Sequence, residues 1–398
     1  MEIGAGLSQG DNSISAAQEA VGQAKANLKE KAELALVFGT PSLSSSSLLK
    51  AASEALPGVP IIGSSGKAVI CSEGIFKHGV AVMLLNFSGK AHFHAASVIN
   101  VARRSQLAGE EMGEKLSSGL KDYTRALSLI FCDQLIQSST HFISGLQSRI
   151  GKGLPLAGAC PSGDSFFENH LYFNQYITSD ACVGITLDSG LSFGIGAGGG
   201  WKPLGKSNTV TKAEGNVVES IGGAPASKLY QDYLGYDWPK LKMNLKLAAS
   251  LYPLGIYLPQ EKEYLLRNPI SLGASGSVSF SGEVPQNSTV RLMLGTKNTC
   301  LAAARQAAAE ANANFAACPA ARSGYTKRMA LVFSSFSRYT LLGQDAKKEL
   351  EAIQETLGQD TPVIGIYTQA EITPLSSERY RGQAQLQNQT ITIVILGS

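Results

Sequence analysis

One plan occurs three times in this chain, and it limits the available folds more than any other feature. An apolar run is followed by helical spacing, a Pro-x-x-Gly tetrapeptide and another apolar run. The first copy reads Leu34-Ala35-Leu36-Val37-Phe38, a helix-like stretch over 46–56, Pro60-Ile61-Ile62-Gly63, then Val80 to Leu85. The second reads Leu127-Ser128-Leu129-Ile130-Phe131, a helix near 139–150, Pro155-Leu156-Ala157-Gly158, then Cys182 to Leu187. The third reads Ala330-Leu331-Val332-Phe333, a helix near 345–357, Pro362-Val363-Ile364-Gly365, then Ile391 to Leu396. Self-similarity of this kind marks a fold assembled from one supersecondary unit. Strand, helix, strand implies parallel neighbours joined by a crossover. The shortness of the apolar runs and their Gly/Pro flanks favour strands over pieces of helix.

The helices follow from spacing. Leu350, Ile353 and Leu357 fall on one face, with Gly358 placed to end the helix; Phe142, Leu146 and Ile150 do the same before Gly151. Leu49, Ala52 and Leu56 precede Pro57-Gly58. An opening helix carries the stripe Ile14, Ala17, Val21, Ala24, Leu28 behind the caps Asn12 and Ser13. The middle of the chain differs. Thr209-Val210-Thr211, Asn216-Val217-Val218, Leu265-Leu266, Val278-Ser279-Phe280 and Val290 to Leu294 are spaced by turn residues and predict antiparallel strands. A helix near 225–233 starts on Pro225, and the Ala-rich run Cys300 to Ala317 predicts another. The expected fold is therefore α/β: repeated β-α-β units forming mixed, largely parallel sheets, with an antiparallel strand-rich middle section. A boundary near residue 212 divides it into 1–212 and 213–398.

Composition removes several function classes. A chain of 398 residues that is 44% hydrophobic and 16% charged is globular and large enough for two domains. A net charge of +3 without a dense Lys/Arg run argues against nucleic acid as a partner. No apolar stretch reaches the ~18 residues of a membrane span, and Met1 to Asn12 lacks the pattern of a secretory signal. Six separated cysteines without a CxxC pair suit small buried hydrophobes in a reducing, cytoplasmic setting.

Two nucleotide motifs match in letters only. Gly194-Ile195-Gly196-Ala197-Gly198-Gly199 satisfies GxGxxG, but Gly200-Trp201-Lys202-Pro203 follows, where a dinucleotide site needs a helix. Gly200 to Ser207 satisfies GxxxxGK[ST], yet β-branched Thr209-Val210-Thr211 predicts a strand after it. His92 and His94 share a strand face without a third metal ligand nearby. Cys160 with His141 or His170 would be needed for a cysteine hydrolase, and nothing places a base beside the thiol. An enzyme, NTPase or hydrolase, is the least supported reading.

Polar residues cluster after the repeated strands, where parallel α/β sheets bind ligands: Thr40 to Ser42, Ser64 to Gly66, Asp133-Gln134, Ser162 to Asp164, Ser334 to Arg338 and Tyr367 to Glu371. Arg338 follows the third unit's first strand, Tyr367 and Glu371 its second, and Asn388 precedes its last. With Ser335 and Asp164 they form the expected ligand-binding set. Arg338 and Glu371 would clamp a small zwitterion, or else pair with each other.

Gly6-Leu7-Ser8, Asp11, Pro155 to Asp164, Gly200 to Gly205 with Val210 to Ala213, Tyr264 to Arg267, Gly282 to Pro285, Ser334 to Arg338, Gly365 to Ile372 and Asn388-Gln389-Thr390 occur in one order along the chain. In that order they resemble the FIST family of prokaryotic sensory domains, N-terminal and C-terminal halves together. Ala159 replaces the family's second Gly after Pro155, and Ser335 stands where the family often has Cys. The resemblance implies a non-enzymatic module that senses small molecules such as amino acids. It would signal in trans through a histidine kinase, a diguanylate cyclase or a chemoreceptor. Some relatives bind haem and sense nitric oxide; His141 and His78 are the candidate axial ligands for that alternative.

Overall fold

In the computed structural model, which describes residues 1–133, 139–162, 169–259, 261, 263–318, 328–375 and 384–397, each copy is longer than its sequence signature. The first unit is β1 (Glu2–Ser8), α1 (Ser13–Ala26), β2 (Leu34–Gly39), α2 (Ser45–Ala55), β3 (Ile61–Ser65), a hairpin of β4 (Val69–Cys71) and β5 (Gly74–Phe76), and β6 (Val80–Asn86). The second is β7 (Phe93–Ile99), α3 (Ser105–Ser118), β8 (Arg125–Cys132), α4 (Ser139–Ile150), β9 (Leu156–Cys160), the hairpin β10 (Leu171–Phe173) and β11 (Tyr176–Thr178), and β12 (Ala181–Asp188). The third opens with β13 (Ser192–Gly198) and is then interrupted. The insertion comprises β14 (Lys202–Glu214), β15 (Val217–Ile221), β16 (Ala224–Pro225), α5 (Ala226–Leu234), α6 (Trp238–Met243), α7 (Leu245–Leu251), β17 (Leu254–Ile256), β18 (Leu265–Arg267), β19 (Pro269–Leu272), β20 (Val278–Phe280) and β21 (Thr289–Leu294). The third unit then resumes with α8 (Lys297–Ala317), β22 (Arg328–Ser335), α9 (Phe336–Leu342), α10 (Ala346–Leu357), β23 (Val363–Thr368), the hairpin β24 (Ala370–Thr373) and β25 (Gln385–Gln387), and β26 (Ile391–Gly397). Residue 212, the expected boundary, lies inside β14.

The three units share one strand order: β1-β6-β2-β3, β7-β12-β8-β9 and β13-β26-β22-β23. Each sheet is completed by a hairpin from another unit. β10–β11 of the second unit extends the first sheet, β24–β25 of the third extends the second, and β4–β5 of the first extends the third. The exchange closes a ring. The parallel pairs are β2–β3, β8–β9 and β22–β23, each bridged by helix as the repeat predicts. The returning last strands and exchanged hairpins pair antiparallel, so the sheets are mixed, with less parallel content than the repeat suggests.

Strand parity explains why both faces of these strands are apolar. Leu34, Leu36 and Phe38 of β2, Leu127, Leu129 and Phe131 of β8, and Met329, Leu331 and Phe333 of β22 fill one central core. Ala35 and Val37, Ile130 and Cys132, and Ala330 and Val332 turn outward to three separate helical layers. The three equivalent phenylalanines meet edge to face, with centroids 5.7 Å (Phe38–Phe131), 5.5 Å (Phe131–Phe333) and 6.4 Å (Phe38–Phe333) apart. The repeated Pro-x-x-Gly has a steric cause. A Cβ on Gly63, Gly158 or Gly365 would sit 1.7, 1.9 or 1.8 Å from a carbonyl oxygen of the neighbouring strand.

Glycine also explains the false dinucleotide motif. A Cβ on Gly194 or Gly196 would lie 2.1 or 1.9 Å from backbone oxygens of Ala311 and Ala307, so the two glycines let α8 rest on β13. Gly4 and Gly6 do the same for α1, at 1.9 Å from the Ala24 oxygen and 2.0 Å from the Ala20 oxygen. The P-loop match runs into strand β14, as its β-branched residues predict. Asn12 caps α1 by accepting from the Ile14 and Ser15 amides, but Ile14 itself is exposed. The buried stripe is Ala16, Ala17, Ala20, Val21 and Ala24. The insertion is antiparallel, as expected, and has its own core around Val210, Tyr230, Leu254, Phe280 and Leu292.

Candidate functional site

β13 and β22 both run antiparallel to β26, so Gly198 and Ser335 end their strands at the same edge of the third sheet. The insertion leaves from this edge, at 199–201, and α8 begins beside it. Here Arg338, in the first turn of α9, is fully buried. Its Nε donates to Glu349 Oε1 at 2.9 Å and its Nη2 to the same oxygen at 2.6 Å. Nη2 also donates to the Cys300 carbonyl at 2.8 Å, and Nη1 donates to the Gly199 carbonyl. Glu349 Oε2 accepts from Ser334 Oγ and from the Tyr367 hydroxyl, both at 3.1 Å. One guanidinium thus ties the glycine-rich exit of β13 to the first turn of α8. Its ionic partner is Glu349, not Glu371. The sequence reading missed Glu349, although its spacing to Ala346, Leu350 and Ile353 puts it on the buried stripe of α10.

Glu371 occupies a second buried cluster. Thr368 Oγ1 lies 2.5 Å from Glu371 Oε1 and 3.2 Å from the Ser334 carbonyl oxygen. The single hydroxyl proton of Thr368 serves one or the other of these oxygens. Burial raises the Glu371 pKa well above its ordinary value, against bonds from Thr368 and the Thr390 amide that lower it. The unfolded carboxyl titrates near ~4.3, so Glu371 contributes its full stability below that pH and loses it as pH rises through the folded value. Glu371→Gln should therefore gain on the wild type as pH rises from 4 to 8, by up to ~1.4 kcal/mol per unit. Urea melts at several pH values check this; a difference independent of pH would contradict it.

The segment before β26 fastens the insertion. Ser281 Oγ donates to Asn388 Oδ1 at 2.6 Å, Gln389 Nε2 to Asn268 Oδ1 at 2.7 Å, and Arg267 Nη1 to the Leu386 carbonyl at 2.9 Å. Ser335 is buried, with its Oγ unpartnered among the described residues, and its amide bonds the Thr390 carbonyl at 2.9 Å. Asp164 lies outside the described residues.

A cleft of about 260 Å³ opens between the third sheet's edge and the insertion. Its walls are Gly198 to Gly200, Trp201 and Lys202, then Glu263 and Tyr264 of the insertion, Thr299, Ala302, Gln306 and Glu310 of α8, and Gln387 and Thr390. Lys202, Glu263 and Glu310 form no ion pair among the described residues, and buried Trp201 Nε1 has no hydrogen-bond partner there. Arg338, Ser335, Tyr367, Glu371 and Asn388 do not line it. They stand behind it, through Gly199, Cys300 and Thr390.

The other candidates carry less. Burial pushes the Cys71 thiol up to about 12 and the Cys300 thiol to about 11, and holds Cys132 well above the ordinary range, so these thiols are inert hydrophobes. Among the described residues no three His, Cys, Asp or Glu side chains are grouped to hold a metal. A haem requires an axial side chain facing an apolar cavity. His78 is bonded to Ser42 and Gly10, His141 Nδ1 lies 3.5 Å from Glu283 Oε1, and neither lines the cleft, so these residues do not fit the group. No helix among the described residues is long and apolar enough to cross a membrane.

The uncharacterised protein MJ1623 of Methanocaldococcus jannaschii is 27% identical to this chain over 191 residues, 46% of this chain and 35% of that protein. The chain thus spans about a third of that relative's length. A solved structure described as T. maritima PurL complexed with ATP aligns over 84% of this chain and 73% of its own, at 9% identity and a TM-score of 0.20, too low to bear on fold or ligand. The decisive similarity is to two family descriptions. The FIST N domain matches residues 33–224 and the FIST C domain matches 226–374, and together they cover most of the third unit, its insertion and both preceding units. This chain belongs to the FIST family of sensory domains.

Proposed function

We propose that the chain senses a small polar ligand held in the cleft between the third sheet and the insertion. Occupancy is passed to a protein bound in trans, such as a histidine kinase, a diguanylate cyclase or a chemoreceptor. The observation that carries this reading is the cleft's position. It lies at the carboxyl edge of β22 and β13, and its walls come from both the sheet and the insertion. Lys202 offers a cation and Glu263 and Glu310 offer carboxylates, while Tyr264 and Trp201 supply aromatic surface. A small molecule carrying both charges, an amino acid or a relative of one, suits this set.

In this reading the expected ligand-binding residues act as support. Arg338, with Glu349 and Tyr367, fixes two walls; Asn388 and Glu371 fix the strand entry that carries Gln387 and Thr390. A thermal-shift screen of amino acids, related polar molecules and haem tests the proposal. A ligand at 100 times its dissociation constant should add about 2.7 kcal/mol of stability, at roughly 2–4 °C per kcal/mol. No shift with any amino acid, alongside a shift with haem, would favour the gas-sensor alternative instead.

A further inference from the structure

At the carboxyl edge of the first sheet, remote in sequence from the cleft's walls, three polar side chains line up. Ser42 Oγ lies 2.8 Å from His78 Nδ1. The other ring nitrogen, Nε2, lies 3.2 Å from the Gly10 carbonyl oxygen and 3.3 Å from Asp11 Oδ1. A carbonyl oxygen only accepts, so Nε2 carries a ring proton, and in the neutral imidazole Nδ1 is then the acceptor that faces the Ser42 hydroxyl. Thr40 Oγ1, 2.8 Å from Ser42 Oγ and also bonded by the Gly79 amide, holds the serine from its other side. Ser42 is exposed and His78 half-buried, so the nucleophile is open to solvent while the base is held. α2 starts at Ser45, three residues on, and brings the positive end of its dipole next to Ser42.

We infer that Ser42 is a nucleophile for carboxylic esters of small acyl groups, with His78 as its general base and Gly10 and Asp11 orienting the ring. Ser42 Oγ bonds to the ester carbonyl carbon while its proton passes to His78 Nδ1. The bond from that carbon to the alkoxy oxygen breaks, and the proton leaves with the alcohol. Water then repeats the sequence on the acyl-serine, releasing the acid and restoring the hydroxyl. This activity is independent of the ligand reading of the cleft.

A fluorophosphonate probe tests it, because phosphylation of Ser42 uses the same proton transfer and expels fluoride. Intact protein should be labelled at Ser42, as located by peptide mass spectrometry, and should turn over p-nitrophenyl acetate. His78→Gln should slow both reactions by at least ~100-fold, the ordinary contribution of a general base, with an unchanged melting temperature. Ser46→Ala, one turn along on the same exposed serine run, should label as the wild type does. Labelling at another residue, no labelling, or a rate unmoved by His78→Gln would overturn the inference and leave the Ser42–His78 bond a brace for the loop.

Discussion

Replacing Arg338 by Ala should destabilise the protein by about 3–5 kcal/mol, far more than a surface arginine would. The guanidinium and its partner carboxylate are 0% and 2% exposed, so removal leaves the Glu349 charge buried with only two neutral donors, Ser334 and Tyr367. It also frees the buried carbonyl of Cys300 and the half-buried carbonyl of Gly199. Arg338→Lys should recover little, because one ammonium cannot span acceptors on α10, α8 and the exit of β13 at once. The double variant Arg338→Met with Glu349→Met should recover much of the loss, since it removes the stranded charge together with its partner. Chemical denaturation of the wild type, Arg338→Met, Glu349→Met and the double variant measures the cycle, with Arg338→Ala and Arg338→Lys beside them. A loss under about 1 kcal/mol for Arg338→Ala would mean that the pair is not buried as described.

Gly365→Ala, a change of one methyl group, should cost at least about 3 kcal/mol. The new Cβ would stand 1.8 Å from the Val332 carbonyl oxygen, in the middle of the parallel pair β22–β23, where the neighbouring backbone is held by its own ladder. The same chemical change at Gly22, an exposed position of helix α1 with nothing within 4 Å of the added atom, should stabilise by ~0.5–1 kcal/mol. The opposite signs separate packing from the intrinsic preference of glycine. Equal effects at the two sites would refute the steric account of the Pro-x-x-Gly repeat.

The repeat made the central strands and helices legible, because each strand is buried on both faces and each helix on one. The first strand of every unit was harder to see. β1 reads Glu2-Ile3-Gly4-Ala5-Gly6 and β13 reads Ser192-Phe193-Gly194-Ile195-Gly196; the glycines that admit a helix backbone also dilute the apolar pattern of a strand. For β13 the signal is further broken, since the insertion separates it from α8. The exchanged hairpins are strands of three or four residues whose partners lie a unit away, and local pattern does not report a partner. Among the site residues, position along the chain placed Arg338 and Tyr367 together and put Glu371 and Asn388 at one strand edge. The reading set Arg338 against Glu371, the acid at a strand end, and passed over Glu349, which stands among Lys347, Lys348 and Glu351 in the chain although it falls on the apolar stripe of α10. The cleft's own residues, Lys202, Glu263, Gln306 and Glu310, converge only once the insertion folds back over α8.

A filled cleft shows most directly whether the ligand sits there. Ala302 is an exposed helical position on the cleft wall, so Ala302→Trp should occupy the space without disturbing the core. Titrate the compound that stabilises the wild type into both proteins and measure the dissociation constant by calorimetry. With the ligand in the cleft, the unliganded variant should melt within a degree or so of the wild type and its affinity should fall by at least ~100-fold, about 2.7 kcal/mol. Undiminished affinity in Ala302→Trp would place the ligand elsewhere and contradict the proposal.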